Sequence, residues 1–225
     1  MIVAVLLLLA LFLFFFYASY SIERGFYLKS FCRKSTQEKV IAITFDDGPH
    51  PVQTPKVLDI LHEESTPATF FCIGSLLAGN EEVVRRMVRE GHGIGNHSYH
   101  HSWKFPLLTL RRMTEELTHT QQLLEEIGGR EVRWFRPPFG VTNPTVAKAV
   151  KRLGYRSIGW NIRSFDTRSL HSHSEVLRRI RKGLRPGSVL LLHDRLPESD
   201  LLLREVLKLL RTEGYRVVSL QELLN

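Results

Sequence analysis

Several familiar catalytic patterns are missing from these 225 residues. There is no His-Glu-x-x-His, no Gly-x-Ser-x-Gly and no phosphate-binding glycine loop, which sets aside the common metalloproteases, nucleophile-elbow hydrolases and P-loop nucleotide enzymes. Cysteine is scarce: Cys32 and Cys72 are too few for a disulfide framework or a four-thiolate zinc site. Cys72 sits in an apolar run and reads as a small buried hydrophobe, and a Cys32–Cys72 bridge is the lesser alternative. Internal repeats and low-complexity stretches are absent as well. Basic residues such as Arg178, Arg179, Arg181 and Lys182 carry no interleaved aromatics, so a nucleic-acid partner is not expected. With 43% hydrophobic and 24% charged residues, the chain suits one compact domain with a sizeable core. Its formal charge of +8 permits an anionic partner without selecting one.

Charge is also missing from the start of the chain. Residues 2–18 form an unbroken apolar run, and the first charged side chain is Glu23. That length is short for a membrane helix yet long for the apolar region of a signal peptide. No basic segment precedes it, and Ala18-Ser19 makes a poor cleavage site. An uncleaved transmembrane anchor over residues 1–20 is the preferred reading, with a cleaved signal and a buried core helix as alternatives. Residues 21–37 read as a basic linker and 38–225 as the catalytic domain. Cys32 lacks the neighbouring small residue of a lipoprotein site, so lipidation is not expected.

From residue 38 onward, apolar runs of strand length alternate with helical periodicity. Strands are predicted at 40–45, 68–73, 93–96, 132–135, 156–160, 188–192 and 215–218. Amphipathic helices are predicted at 55–64, 81–89, 110–127, 144–153, 174–184 and 201–212. Such alternation implies βαβ units and a mainly parallel sheet. Continuous runs such as Val189-Leu190-Leu191-Leu192 imply burial on both faces. Seven units favour an α/β fold closed as a distorted (β/α)7 barrel, TIM-barrel-like, over an open doubly wound sheet.

Aspartate is rare, and its placement is informative. Of six in the chain, Asp46, Asp47, Asp166 and Asp194 follow predicted strands. His97 and His101 follow the third strand, Arg136 the fourth, Asp166 the fifth, and His193 the sixth. In a parallel barrel these ends meet on one face, where active sites form. His97 and His101, four apart, can converge on one cation. With a carboxylate they leave an open position on Zn²⁺, as a catalytic metal requires. The alternative is a pair of surface histidines. Asp46 and Asp47 repel each other unless a cation or an arginine lies near. Gly48 and Pro49 suit a turn. His92, His119, His171 and His173 show no partner pattern and are read as surface residues. Trp103 reads either as a stacking face for a sugar or as a core residue.

Four segments together carry a resemblance: Thr44-Phe45-Asp46-Asp47-Gly48-Pro49, His97-Ser98-x-x-His101, Arg136-Pro137-Pro138-Phe139-Gly140 and Leu191-Leu192-His193-Asp194. They resemble, in family order, the motifs of the polysaccharide deacetylases, the NodB-homology carbohydrate esterases of family 4, over about residues 38–222. The resemblance implies a distorted (β/α)7–8 barrel and hydrolysis of N-acetyl groups on sugars. It implies Asp47, His97 and His101 as ligands of a divalent metal, most often Zn²⁺, and Asp46 as the base that takes a proton from the attacking water. It implies Arg136 as the residue that holds Asp46, His193 as the acid that protonates the departing amine, and Asp166 as its partner. The backbone N–H of Phe139 is implied as an oxyanion donor. The role of Asp194 stays open between capping the following segment and supporting His193.

Three departures from the family pattern bear on substrate. Phe139 stands where tyrosine is usual, and Arg163 and Thr167 replace the first aspartate and the tryptophan of the fourth motif. The catalytic set is complete while the sugar-binding surface is altered. The expectation is a metal-dependent N-deacetylase of an envelope polysaccharide, peptidoglycan or chitin-like. O-acetyl ester hydrolysis, another acyl substrate, or a silent envelope-binding protein are the alternatives. The resemblance places the catalytic domain outside the cytoplasm. Arg24, Lys29, Arg33 and Lys34, just past the apolar run, argue the other way by the positive-inside rule.

Overall fold

A computed structural model describes residues 1–167 and 172–225; His171, read above as a surface residue, lies outside them. Among the described residues, eight strands, β1 (Val40–Asp46), β2 (Thr69–Cys72), β3 (Gly93–Asn96), β4 (Trp134–Phe135), β5 (Arg156–Ser157), β6 (Ile162–Arg163), β7 (Ser188–His193) and β8 (Arg216–Val217), alternate with helices. The helices are α1 (Ile2–Tyr20), α2 (Gln53–Glu63), α3 (Glu81–Arg89), α4 (Leu110–Gly128), α5 (Pro144–Arg152), α6 (His173–Gly183), α7 (Ser199–Thr212) and α8 (Leu220–Leu224). The strands pair in parallel in the order β5-β4-β3-β2-β1-β7-β6, and β8 joins the start of β1.

Chain connectivity explains why this sheet curls. Laid flat, seven strands would hold β5 and β6 about 29 Å apart at about 4.8 Å per step. Only residues 158–161 join these two edges, and that link reaches at most about 19 Å when fully extended. The sheet must therefore roll into a distorted (β/α)7 barrel. The short strand β6 was not foreseen from sequence, because Asn161-Ile162-Arg163 is too brief to carry a period-two signal. Consequently Asp166 follows β6, not the fifth strand.

Side-chain alternation sorts the strands into an outer and an inner face. Ile41, Ile43, Phe45, Phe70, Cys72, Ile94, Leu190 and Leu192 pack outward against α2, α3, α6 and α7. Ala42, Phe71, Val189 and Leu191 pack inside the barrel with Ile158 and Trp160. Glycine is required on the inner face at Gly95, where an added Cβ would lie 2.6 Å from the Phe71 ring. Helix ends follow local chemistry: the Asn143 side chain accepts a hydrogen bond from Val146 N–H, capping α5, with Pro144 in its first turn.

Helix α1 is long and apolar enough to cross a membrane, and only Ala18 among its residues is buried. Its end is tied to the barrel by a 2.9 Å hydrogen bond from Thr142 N–H to Ser19 O. Residues 21–37 run along the barrel wall. Phe31 N–H donates to Ser157 O, Gly159 N–H donates to Phe31 O, and Lys34 N–H donates to Gly187 O. Ile22 and Cys32 are buried there. Cys32 and Cys72 are both free thiols.

Candidate active site

Strand parity aims the functional side chains. Asp46 shares the inner face with Ala42 and Thr44, and His193 shares it with Val189 and Leu191. His97 continues the line of Gly93 and Gly95, and Arg136 that of Trp134. These four, from β1, the end of β3, the end of β4 and β7, meet at the C-terminal mouth of the barrel. Asp47 lies one step past parity, and a left-handed backbone (φ 71°) turns it into the same space. Ser98, His101, Phe139 and Phe165 also have positive φ. Five of the seven such non-glycine residues among those described thus sit on loops at the mouth, the place where strained backbone is held for function.

Arg136 is fully buried and spends its guanidinium on four acceptors. Nη1 donates to Asp46 Oδ1 at 2.7 Å and to Thr44 Oγ1 at 2.8 Å, Nε donates to Ile158 O, and Nη2 donates to Gly159 O. Its Cζ lies over the Phe71 ring, 4.1 Å from the centroid, and a lysine could not copy this combination of ring contact and four donated hydrogen bonds. Asp46 is thereby ion-paired and oriented inside the barrel.

The second carboxylate is paired differently. Asp47 Oδ1 lies 3.5 Å from His97 Nε2 and 3.4 Å from His101 Nε2, and one donor atom from each of the three residues fits within a 4.8 Å group. A tetrahedral ion with ligands at about 2.0–2.1 Å needs donor–donor edges of about 3.3 Å, so the Asp47–histidine distances suit a cation. The His97 Nδ1 lies 2.8 Å from Arg136 O. Donation to that carbonyl holds the proton on Nδ1 and leaves Nε2 free to ligate. Burial opposes ionisation of Asp47, but its contact with His97 and the imidazoles of His101 and His193 hold it well below the usual carboxylate range. Burial and the neighbouring His97 push His101 down to about 4, keeping it in the neutral, ligating form. The loop carrying them is not helical, and His100 points away, towards Glu116.

Opposite these residues, His193 Nδ1 lies 2.8 Å from Asp166 Oδ1, and its backbone N–H donates to Asp166 Oδ2 at 2.8 Å. Ser164 Oγ donates to the same carboxylate. Burial alone would lower the imidazole's proton affinity, but the Asp166 hydrogen bond and charge raise it above the ordinary histidine value. Nε2 faces the Asp47 carboxylate at 3.9 Å, so the free ring nitrogen looks into the cavity. The Phe139 ring packs 4.5 Å from that of His101, and φ 59° at Phe139 turns its peptide at the rim. All eight sequence-predicted residues are thus gathered at one mouth, around a cavity of about 230 Å³ lined in part by Asp46, Asp47, His97, His101 and His193.

Other expectations are corrected. His92 is not a surface residue: it is 2% exposed, and its Nδ1 accepts from Ala68 N–H. It packs against Phe70 under β2, where a histidine without sequence partners gives no warning of burial. Trp103 is 70% exposed and so not core. Asp194 is buried away from the cavity and accepts a hydrogen bond from the Thr54 hydroxyl; burial pushes its carboxyl up to about 7. Sequence reasoning missed Arg195, whose Nε lies 3.2 Å from Asp47 Oδ2; its position directly after His193-Asp194 was the available signal. Thr44 was also missed as a partner of Arg136, though parity with Asp46 pointed to it.

Comparison with known proteins agrees with this geometry. A family model described as polysaccharide deacetylase matches residues 33–158. A peptidoglycan-N-acetylglucosamine deacetylase of Bacillus cereus is 34% identical over 192 residues, covering 83% of this chain and 89% of that protein. A chitooligosaccharide deacetylase of Azorhizobium caulinodans is 37% identical over 172 residues, covering 75% and 80%. Among solved structures, a family 4 carbohydrate esterase pseudoenzyme from Bacillus anthracis superposes with a TM-score of 0.79 at 26% identity, covering 86% of this chain and 68% of that one. With matching motifs, barrel and relatives in hand, the chain belongs to the polysaccharide deacetylase family.

Proposed function

We propose that this protein is a metal-dependent N-deacetylase acting on N-acetylated sugars of a cell-envelope polysaccharide, peptidoglycan or chitin-like, and that α1 anchors it to the membrane with the barrel outside the cytoplasm. The observation that carries the reading is the division of labour between the adjacent carboxylates: Asp46 is tied to Arg136, while Asp47 faces two imidazoles. Asp47, His97 and His101 would hold the ion. Bound there, a divalent ion such as Zn²⁺ supplies Lewis acidity to the amide carbonyl and to the attacking water.

The chain's own groups supply the proton chemistry. Asp46, oriented by its hydrogen bond from the Arg136 guanidinium, takes a proton from the water. His193, with Nδ1 held by Asp166 and proton affinity raised by that pairing, donates from Nε2 to the departing nitrogen. A base and an acid held by different partners on opposite sides of one cavity is the arrangement that cleaving an amide requires. The Phe139 N–H, at the turned peptide of the rim, would donate to the developing oxyanion. Its ring in place of a phenol leaves a backbone role intact.

The pseudoenzyme among the structural relatives favours a second reading, a silent glycan-binding barrel. The intact base, acid and ligand set argues against it, since binding alone needs no such combination. Acetate release from triacetylchitotriose and from isolated peptidoglycan tests the matter with the full chain loaded with Zn²⁺. The expected result is turnover that stops on chelation and returns with metal. Glycan binding that survives chelation, with no acetate from any acetylated substrate, overturns the enzymatic reading.

A further inference from the structure

One face of α1 is built unlike the rest of the helix. Phe12, Phe15, Phe16, Ser19 and Tyr20 recur at intervals of three and four, which puts them on a single stripe. This stripe forms one wall of a cavity of about 730 Å³, and Trp103, Leu107 and Phe139 belong to the other wall. Leu107 is 75% exposed. From residue 12 to residue 20 the stripe runs about 12 Å along the helix. The remainder of α1 is apolar and uncovered, so in an anchored protein lipid must cover it, and the cavity then opens to the hydrocarbon chains of the bilayer.

The same cavity borders the catalytic one. Phe139 and Arg163 line both, and Arg163 stacks over Trp160 and Phe165 at the junction. An apolar groove open to the bilayer, a guanidinium at its inner end and the catalytic mouth beyond it describe an elongated amphiphile: a hydrocarbon chain, an anionic linkage and an acetylated sugar. We propose that this groove binds the hydrocarbon chain of a lipid-linked N-acetylated saccharide and presents its sugar to the catalytic mouth from the membrane side. The inference rests on the deacetylase reading and on α1 remaining attached.

The test uses the full chain, loaded with Zn²⁺, in phosphatidylcholine nanodiscs. Two probes are compared: triacetylchitotriose, and the same trisaccharide as a dodecyl glycoside bearing a photoreactive diazirine in its chain. The expected result is photolabelling concentrated on residues 12–20 and 103–107, competed by unlabelled dodecyl glycoside. Acetate release is expected to favour the tailed probe at least tenfold in kcat/KM, and Leu107→Ser is expected to cut that ratio at least fivefold in the same nanodiscs, where partitioning is unchanged. Groove labelling without acetate from either probe supports the groove while the deacetylase reading fails. Labelling spread evenly over α1, an equal kcat/KM for both probes, a ratio unmoved in Leu107→Ser, or recovery of the mature chain without residues 1–20 each overturns the proposal.

Discussion

Asp46 and Asp47 are neighbours in sequence, yet one backbone step separates two environments. Asp46 is the last residue of β1 and faces the Arg136 guanidinium; Asp47, at φ 71°, turns to the two imidazoles. Asp46→Asn keeps the shape of the base but removes its proton affinity, so acetate release should fall at least about 100-fold. Zinc content, read by elemental analysis, should stay near that of the parent, whereas Asp47→Asn should lose metal first. Arg136→Met leaves a buried carboxylate without its cation and should destabilise the fold by about 3–5 kcal/mol, read from urea unfolding midpoints. Gly48 is equally constrained: an added Cβ would lie 2.4 Å from an Asp194 carboxylate oxygen. Gly48→Ala should therefore cost about 1–3 kcal/mol of stability, read from the same urea midpoints.

At the scale of elements, His92 follows α3 and leads into β3, and its ring is held neutral by burial, with its proton affinity lowered to about 4. The unfolded ring takes a proton below about pH 6.5. The stability it contributes is therefore whole above pH 6.5 and drains as pH falls towards 4. Between pH 7 and 4.5 the loss should be about 2 kcal/mol greater in the parent than in His92→Gln, measured by denaturant unfolding at both pH values. His92 also shows where sequence reading stops. Its burial depends on Phe70 and the turn into β3, and no periodicity in its own segment records that. The long elements were legible because their apolar spacing is dictated by burial: α3 spans the predicted residues, and β1, β3 and β7 differ from expectation by a residue or less. The two-residue strands β5 and β6 were not legible as a pair, since they are defined by partners distant in sequence. The grouping of the candidate site residues was visible because parallel strand ends must converge. Arg195 was not, because a single arginine in a basic chain carries no pattern.

For the whole molecule, the segment before β1 is more than a spacer. Phe31 hydrogen-bonds on both sides to residues 157 and 159, and Cys32 packs against Gly159, closing the wall where β5 passes to β6. A fragment starting at residue 21 should fold like the full chain, whereas one starting at residue 36 should melt at least about 4 °C lower, as a loss of about 2 kcal/mol implies for a domain of this size; differential scanning calorimetry of the two decides it. The Ser19–Thr142 hydrogen bond extends this continuity to the end of α1. With α1 as the membrane anchor proposed above, a barrel tied this directly to the helix end would have no leash to pay out: it would work only in the layer next to the lipid, and material deeper in the envelope would stay beyond its reach until growth or remodelling carried it inward.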